Sequence, residues 1–162
     1  MRIHLVCIFI LLPLTVLAGP VEHTQQLELP VEGVQNLQIT CEAGFLKLYG
    51  VDGADHIKVT ATVKIDSIPP DSVPAFLEQH VLLILEKRST KAFLESAFKN
   101  ENQMAADAKI DLSVAVPKNL PVRIEDGSGR IEVKDLGADL KINDGSGSIQ
   151  ITDTRGNVEI ED

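Results

Sequence analysis

Residues 124–162, IEDGSGRIEVKDLGADLKINDGSGSIQITDTRGNVEIED, decide the fold. Aspartate returns every nine residues, at 126, 135, 144, 153 and 162, and the string DGSG returns after eighteen. Aligned on the aspartates, the apolar doublets are Val122/Ile124, Ile131/Val133, Leu140/Ile142, Ile149/Ile151 and Val158/Ile160. Arg123, Glu132, Lys141, Gln150 and Glu159 separate the members of each doublet. This is the period-2 signature of short strands with one apolar face. The turns alternate in kind: DGSG at 126–129 and 144–147, DLGA at 135–138 and DTRG at 153–156. The full repeat is therefore eighteen residues long, with two strands and two different corners.

Such a unit predicts an all-β, solenoid-like stack of short strands with eighteen-residue coils about 4.8 Å apart. Doublets from opposite walls would meet inside. An antiparallel meander is the alternative, but it leaves one apolar face in need of a second layer, so the solenoid is preferred. The glycines at 127, 129, 145 and 147 permit positive φ. The aspartates can accept hydrogen bonds from backbone N–H groups two residues on. The repeat stops at Glu161-Asp162, where a third DGSG would begin. That leaves an open sheet edge, and the expectation is that more coils follow in the natural protein or that a partner covers the end.

Upstream, the same alternation runs through Leu27/Leu29, Leu37/Ile39/Cys41, Leu46/Leu48, Ile57–Ile65 and Ile110–Val116, with Gly33, Gly44, Gly50 and Gly53 as punctuation. Residues 67–107 break the pattern and read as an insertion. Pro69-Pro70 stops a strand, Asp71 or Ser72 can cap a short helix near 72–80, and Pro74 is tolerated in its first turn. Val81–Lys87 and Lys91–Phe98 fit strand or helix equally, and Lys99–Asp107 reads as an exposed loop. The organisation expected is a signal peptide at 1–18 and one domain at 19–162. The domain comprises N-terminal strands (19–66), the helix-containing insertion (67–107) and the repeat coils (108–162), cut short at the C-terminus.

The signal peptide rests on Met1-Arg2, the apolar run Leu5–Leu17 and the small residues ending at Ala18. The apolar run of about 13 residues falls short of the ~20 that a spanning helix needs, so no integral span is expected after cleavage. Removing Arg2 leaves 14 Lys and Arg against 24 Asp and Glu, a net charge of −10. That surface repels nucleic acid and anionic lipid. With no Trp and one Tyr, Tyr49, the chain is poor in the aromatic faces used by sugar clefts and base-stacking platforms. Cys41 is alone in the mature chain and shares the apolar register of Leu37 and Ile39. It reads as a small core residue, the alternatives being a nucleophile or an intermolecular bridge.

No catalytic, cofactor-binding or metal-ligating residue is nominated. Asp126, Asp144 and Asp162 would form one corner ladder, Asp135 and Asp153 another. The aspartates lie five residues before the inward aliphatics, however, and Gly129 and Gly147 occupy the positions two before, where a calcium-binding repeat places its acids. Ser128 and Ser146 lack a nucleophile-elbow setting. His23, His56 and His80 have no triad or metal spacing.

The run VPKNLPVRIEDGSG with the repeats that follow it resembles the DUF4097 family, bacterial envelope proteins of β-strand repeats labelled adhesins by inference from shape. The resemblance is strong over 110–162, looser over 24–66 and weak over 67–107. It implies an exported, non-enzymatic β-solenoid of the cell envelope and brings no site residues with it. The function expected is an adhesin-like scaffold or recognition surface, periplasmic or extracellular, with an envelope or surface ligand of unknown identity. A carbohydrate-active β-helix enzyme and a structural protein self-associating through the open C-terminal edge are the alternatives.

Overall fold

The computed structural model of the protein describes residues 20–66, 68–99 and 107–161. The expected signal peptide, most of the expected 99–107 loop and Asp162 lie outside these residues.

The described chain is mostly strand: β1 (Val21–Pro30), β2 (Asn36–Val51), β3 (His56–Ile65), β4 (Val81–Arg88), β5 (Lys91–Phe98), β6 (Ala108–Pro117), β7 (Val122–Lys134), β8 (Leu140–Asp144), β9 (Gly147–Thr152) and β10 (Val158–Glu161). One short helix, α1 (Val73–His80), follows a 3-10 turn at Pro70–Ser72. Ser72 is its N-cap, as the sequence suggests, but its backbone is already helical and its side chain makes no capping bond. The 3-10 turn runs straight into the helix and takes that role.

Two long strands organise the sheet. β2 and β7 run parallel and in register from Leu37↔Val122 to Tyr49↔Lys134. Each changes partners at a glycine corner, Gly44 in β2 and Gly129 in β7. Ahead of the corner, β2 pairs with β5 and through it with β4, while β7 pairs with β8 and through it with β10. Past the corner, β2 pairs with β6, then β3, then β1, while β7 pairs with β9. The result is one ten-stranded sheet. Its edge strands β1 and β4 approach each other, so the sheet is a nearly closed, barrel-like wall. The all-β class expected from the repeats holds, but the sheet as a whole is barrel-like and not the uniform stack of coils expected. The pairs β1–β3, β3–β6 and β4–β5 are antiparallel; of the three, β4–β5 is a hairpin, whereas β2 lies between β1 and β3 in the chain, and α1, β4 and β5 lie between β3 and β6.

Within the repeats every pairing is parallel and offset by eighteen: Val122↔Leu140, Leu140↔Val158 and Ile131↔Ile149. That register leaves no place for an antiparallel meander. The doublets point inward as the alternation predicts. Val122, Ile124, Ile131, Val133, Leu140 and Ile142 are buried, Ile149 and Ile151 pack partly buried against them, and Val158 and Ile160 are 44% and 48% exposed. Burial thus declines coil by coil toward β10. The core also takes in Leu120 and Leu136, which sit at corners outside the doublet pattern.

The segment read as an insertion supplies β4 and β5 to the same sheet. Ala92, Leu94, Ser96 and Phe98 alternate inward along β5, and Val73 of α1 is buried, with Phe76 and Leu77 packing against the core.

The DGSG glycines serve a different purpose from the one expected. Of the four, only Gly129 has a positive φ, +141°. The constraint is contact between coils: a Cβ on Gly129 would lie 2.0 Å from the carbonyl oxygen of Gly44, and one on Gly147 would lie 1.9 Å from that of Gly129. Glycine lets three successive backbones stack at this corner. Left-handed backbone falls instead on Asp135 (φ 56°) and Asp153 (φ 54°), at the other two corners, where aspartate tolerates it better than most residues.

Candidate functional site

The register places one outward residue from each strand in a row across the sheet. Gln38 of β2 lies beside Arg123 of β7, which lies beside Lys141 of β8, which lies beside Glu159 of β10. A second row at the strand starts brings Lys91 beside Asn36, with Asp139 and Asn157 at the neighbouring corners. Together these rows line an open groove of about 510 Å³. Its floor is the parallel ladder, whose inward side is the core around Leu37, Val122 and Leu140, so the groove sits on rigid backbone.

Much of the groove's charge is engaged internally. Lys141 Nζ donates to Glu159 Oε1 and Glu161 Oε1, both at 2.8 Å, the opposite-charge stacking that the eighteen-residue spacing predicts for Lys141 and Glu159. The hydrogen bond it donates to Glu159, then that to Glu161, raises the lysine above its ordinary value. Lys141 in turn holds the Glu161 carboxyl below its usual range. Arg123 Nε donates to Glu125 Oε1 at 2.9 Å. Asp139 Oδ1 accepts from the backbone N–H of Asn157 at 2.9 Å and from its side-chain Nδ2 at 3.1 Å. What remains for a ligand is the outer face of the Arg123 guanidinium, the amides of Asn36 and Gln38, and Lys91, which forms no ion pair among the described residues. This arrangement offers hydrogen-bond donors along a line and is suited to holding an extended polar chain.

A smaller depression of about 280 Å³ lies on the outward face beyond the corner. Ala115 and Ser113 form its floor. Tyr49 and Lys58, which flank Ala115 in register, stand beside it.

The remaining chemical candidates are dispersed. His23 lies in β1, His56 at the start of β3 with Nδ1 2.7 Å from Asp55 Oδ1, and His80 at the end of α1, 4.9 Å from the Phe76 ring. Ser128 Oγ donates to the Glu42 carbonyl at 3.2 Å, which makes it a corner tie. Cys41 is buried, and burial, reinforced by the charge of Asp126, pushes its thiol far above the ordinary value. A thiol so held is a poor nucleophile. Among the described residues, no group of three or more His, Cys, Asp or Glu side chains is placed to hold a metal ion, and no helix is long and apolar enough to cross a membrane.

The groove itself was missed in the sequence, although the residues between each doublet were singled out as outward. What could have found it is the eighteen-residue alignment extended back to Gln38 and Asn36, which needs the pairing of β2 with β7.

No protein-family model matches the chain, and no curated protein matches it either. Among solved structures, one that matches in part is described as a "putative cell adhesion protein" from Clostridium sporogenes ATCC 15579. It is 10% identical with a TM-score of 0.43, over 88% of this chain and 99% of that one. Another is described as a "putative lipid binding protein" from Parabacteroides distasonis ATCC 8503. It is 15% identical with a TM-score of 0.40, over 88% of this chain and 62% of that one.

Proposed function

We propose that this chain is an exported, non-enzymatic β-repeat protein of the cell envelope, whose C-terminal coils form a β-solenoid and whose outward ladder face recognises a polar envelope ligand. The groove lined by Asn36, Gln38, Lys91, Arg123 and Lys141 carries the reading. It is a preformed surface on the parallel ladder, where Lys91, the amides of Asn36 and Gln38 and the outer face of the Arg123 guanidinium are left for a ligand, while Lys141 is held by Glu159 and Glu161. The coil register supports the solenoid. The Leu5–Leu17 run and the resemblance to the DUF4097 family support export and the envelope.

The acids of the groove favour binding over catalysis. Asp139 accepts two hydrogen bonds from Asn157, and Glu159 is ion-paired to Lys141. Both carboxylates are thus engaged by neighbours within the chain.

The test is binding of the purified mature protein to isolated envelope polysaccharides, compared with an Arg123→Ser/Lys91→Ser double variant. The expected result is saturable binding that the double variant weakens at least tenfold. Equal binding by both proteins would remove the groove from the reading. Polysaccharide turnover that is abolished by Asp139→Asn or Glu159→Gln would replace the reading with the enzyme alternative.

A further inference from the structure

One buried column at the DGSG corner plays no part in the groove. Cys41 of β2 is paired with Asp126 of β7, and Asp126 with Asp144 of β8. Neighbouring strands set such residues about 4.8 Å apart. Asp144 is 3% exposed, and its Oδ1 has no hydrogen-bond partner among the described residues. Asp126 is partly buried, receives backbone N–H groups from Gly127 and Ser128, and faces the Cys41 thiol. An unpartnered buried carboxylate oxygen is costly, and two carboxylates at this separation resist ionising together.

One proton resolves both problems. We propose that Asp126 and Asp144 share a single proton, held on Asp126 and donated to Oδ1 of Asp144, so that this corner is a pH-sensitive latch between successive coils. The latch joins β7 to β8 at the point where Gly145 N–H donates to the Asp126 carbonyl at 3.0 Å and Gly129 N–H to the Ser146 carbonyl at 3.0 Å.

Among the described residues, the surrounding charges leave the proton no competitor. On β2, Glu42 is exposed and its Oε2 accepts from the Phe98 N–H at 3.2 Å. On β6, Asp111 accepts from the Phe45 N–H at 3.0 Å and pairs with Lys64 at 2.8 Å. On β7, Glu125 is held by Arg123 at 2.9 Å. The Cys41 thiol keeps its own proton, for the reasons given above. A calcium ion would need six or more oxygens, and two carboxylates beside a protonated thiol fall short.

Burial, then the neighbouring Asp144 charge, raises the Asp126 carboxyl above its usual value against the lowering effect of Cys41. A carboxyl raised on folding stabilises below its unfolded value and loses that contribution as pH rises through the folded one. The latch therefore closes in acid and opens as pH increases.

The test is amide exchange at Gly145 and Gly129, corrected for intrinsic rates, together with carboxyl NMR titration of the mature protein from about pH 3 to about pH 8, a range that brackets ordinary carboxylates. Asp126 should titrate above a free aspartate, and corner protection should fall at least tenfold across that titration. Asp126→Asn supplies a permanent N–H to Asp144 and should flatten the dependence. Asp144→Asn supplies one in the opposite direction and should do the same, so that one unfolded variant does not remove the test. An Asp126 that titrates at or below the free value, or an unchanged dependence in the folded variants, overturns the proposal. Protection at the upper pH that depends on millimolar calcium overturns it in favour of a cation site.

Discussion

At the scale of single residues, the corner glycines separate two reasons for lacking a side chain. Gly53 has a φ of +68° and open space around its missing Cβ, whereas a Cβ on Gly147 would lie 1.9 Å from the Gly129 carbonyl oxygen. Gly53→Ala should cost about 1 kcal/mol, the conformational price of a left-handed alanine. Gly147→Ala must push two coils apart and should cost about 1–3 kcal/mol or more, as other overpacked sites do. Urea denaturation of the two variants measures both, and equal costs would mean that coil stacking does not constrain the corner. The sequence made the glycines visible but not this distinction, because contact between residues eighteen apart in the chain appears only once the coils are stacked. The same limit applies to Asp135 and Asp153. Their nine-residue rhythm was plain, yet their left-handed backbone is a property of the corner they close.

At the scale of elements, the doublets rank the strands by how much core they hold. Ile142 of β8 is fully buried, whereas Ile160 of β10 is 48% exposed. Ile142→Ala should cost about 2–5 kcal/mol, and Ile160→Ala should stay near the ±0.5 kcal/mol of a surface change. Thermal melts of the two proteins test this gradient. What ties β10 down is largely its backbone pairing with β8 and the clasp of Lys141 on Glu159 and Glu161. Glu161 is held below its usual value by Lys141. Its contribution is therefore present above the ordinary glutamate range and lost as pH falls through the folded value. Acidification should lower amide protection along β10, corrected for intrinsic exchange rates, and Lys141→Ala should remove that dependence. Exposed pairs are weak and screened by salt, so the effect should shrink at high ionic strength. Note that this clasp opens in acid, the opposite sense to the buried Asp126–Asp144 pair.

At the scale of the whole molecule, the repeats were the most legible part because apolar period, turn residue and spacing all agreed over 122–161. The antiparallel half and the near-closure of the sheet were not legible. β5 alternates inward through Ala92, Leu94, Ser96 and Phe98, but Ala and Ser are weak apolar markers, so the strand did not stand apart from a helix. The groove depends on strands far apart in sequence and has no local signature. One feature ties all of this together: β2 lies along β7 for nearly its whole length, with Leu37 meeting Val122. A nascent chain released at Pro121 would therefore carry a sixteen-residue strand with one flank of its backbone bare, a template for aggregation. Non-local pairing of this kind also makes folding slow. The polypeptide should gain its protease resistance late and in one step, when residues 122–161 arrive.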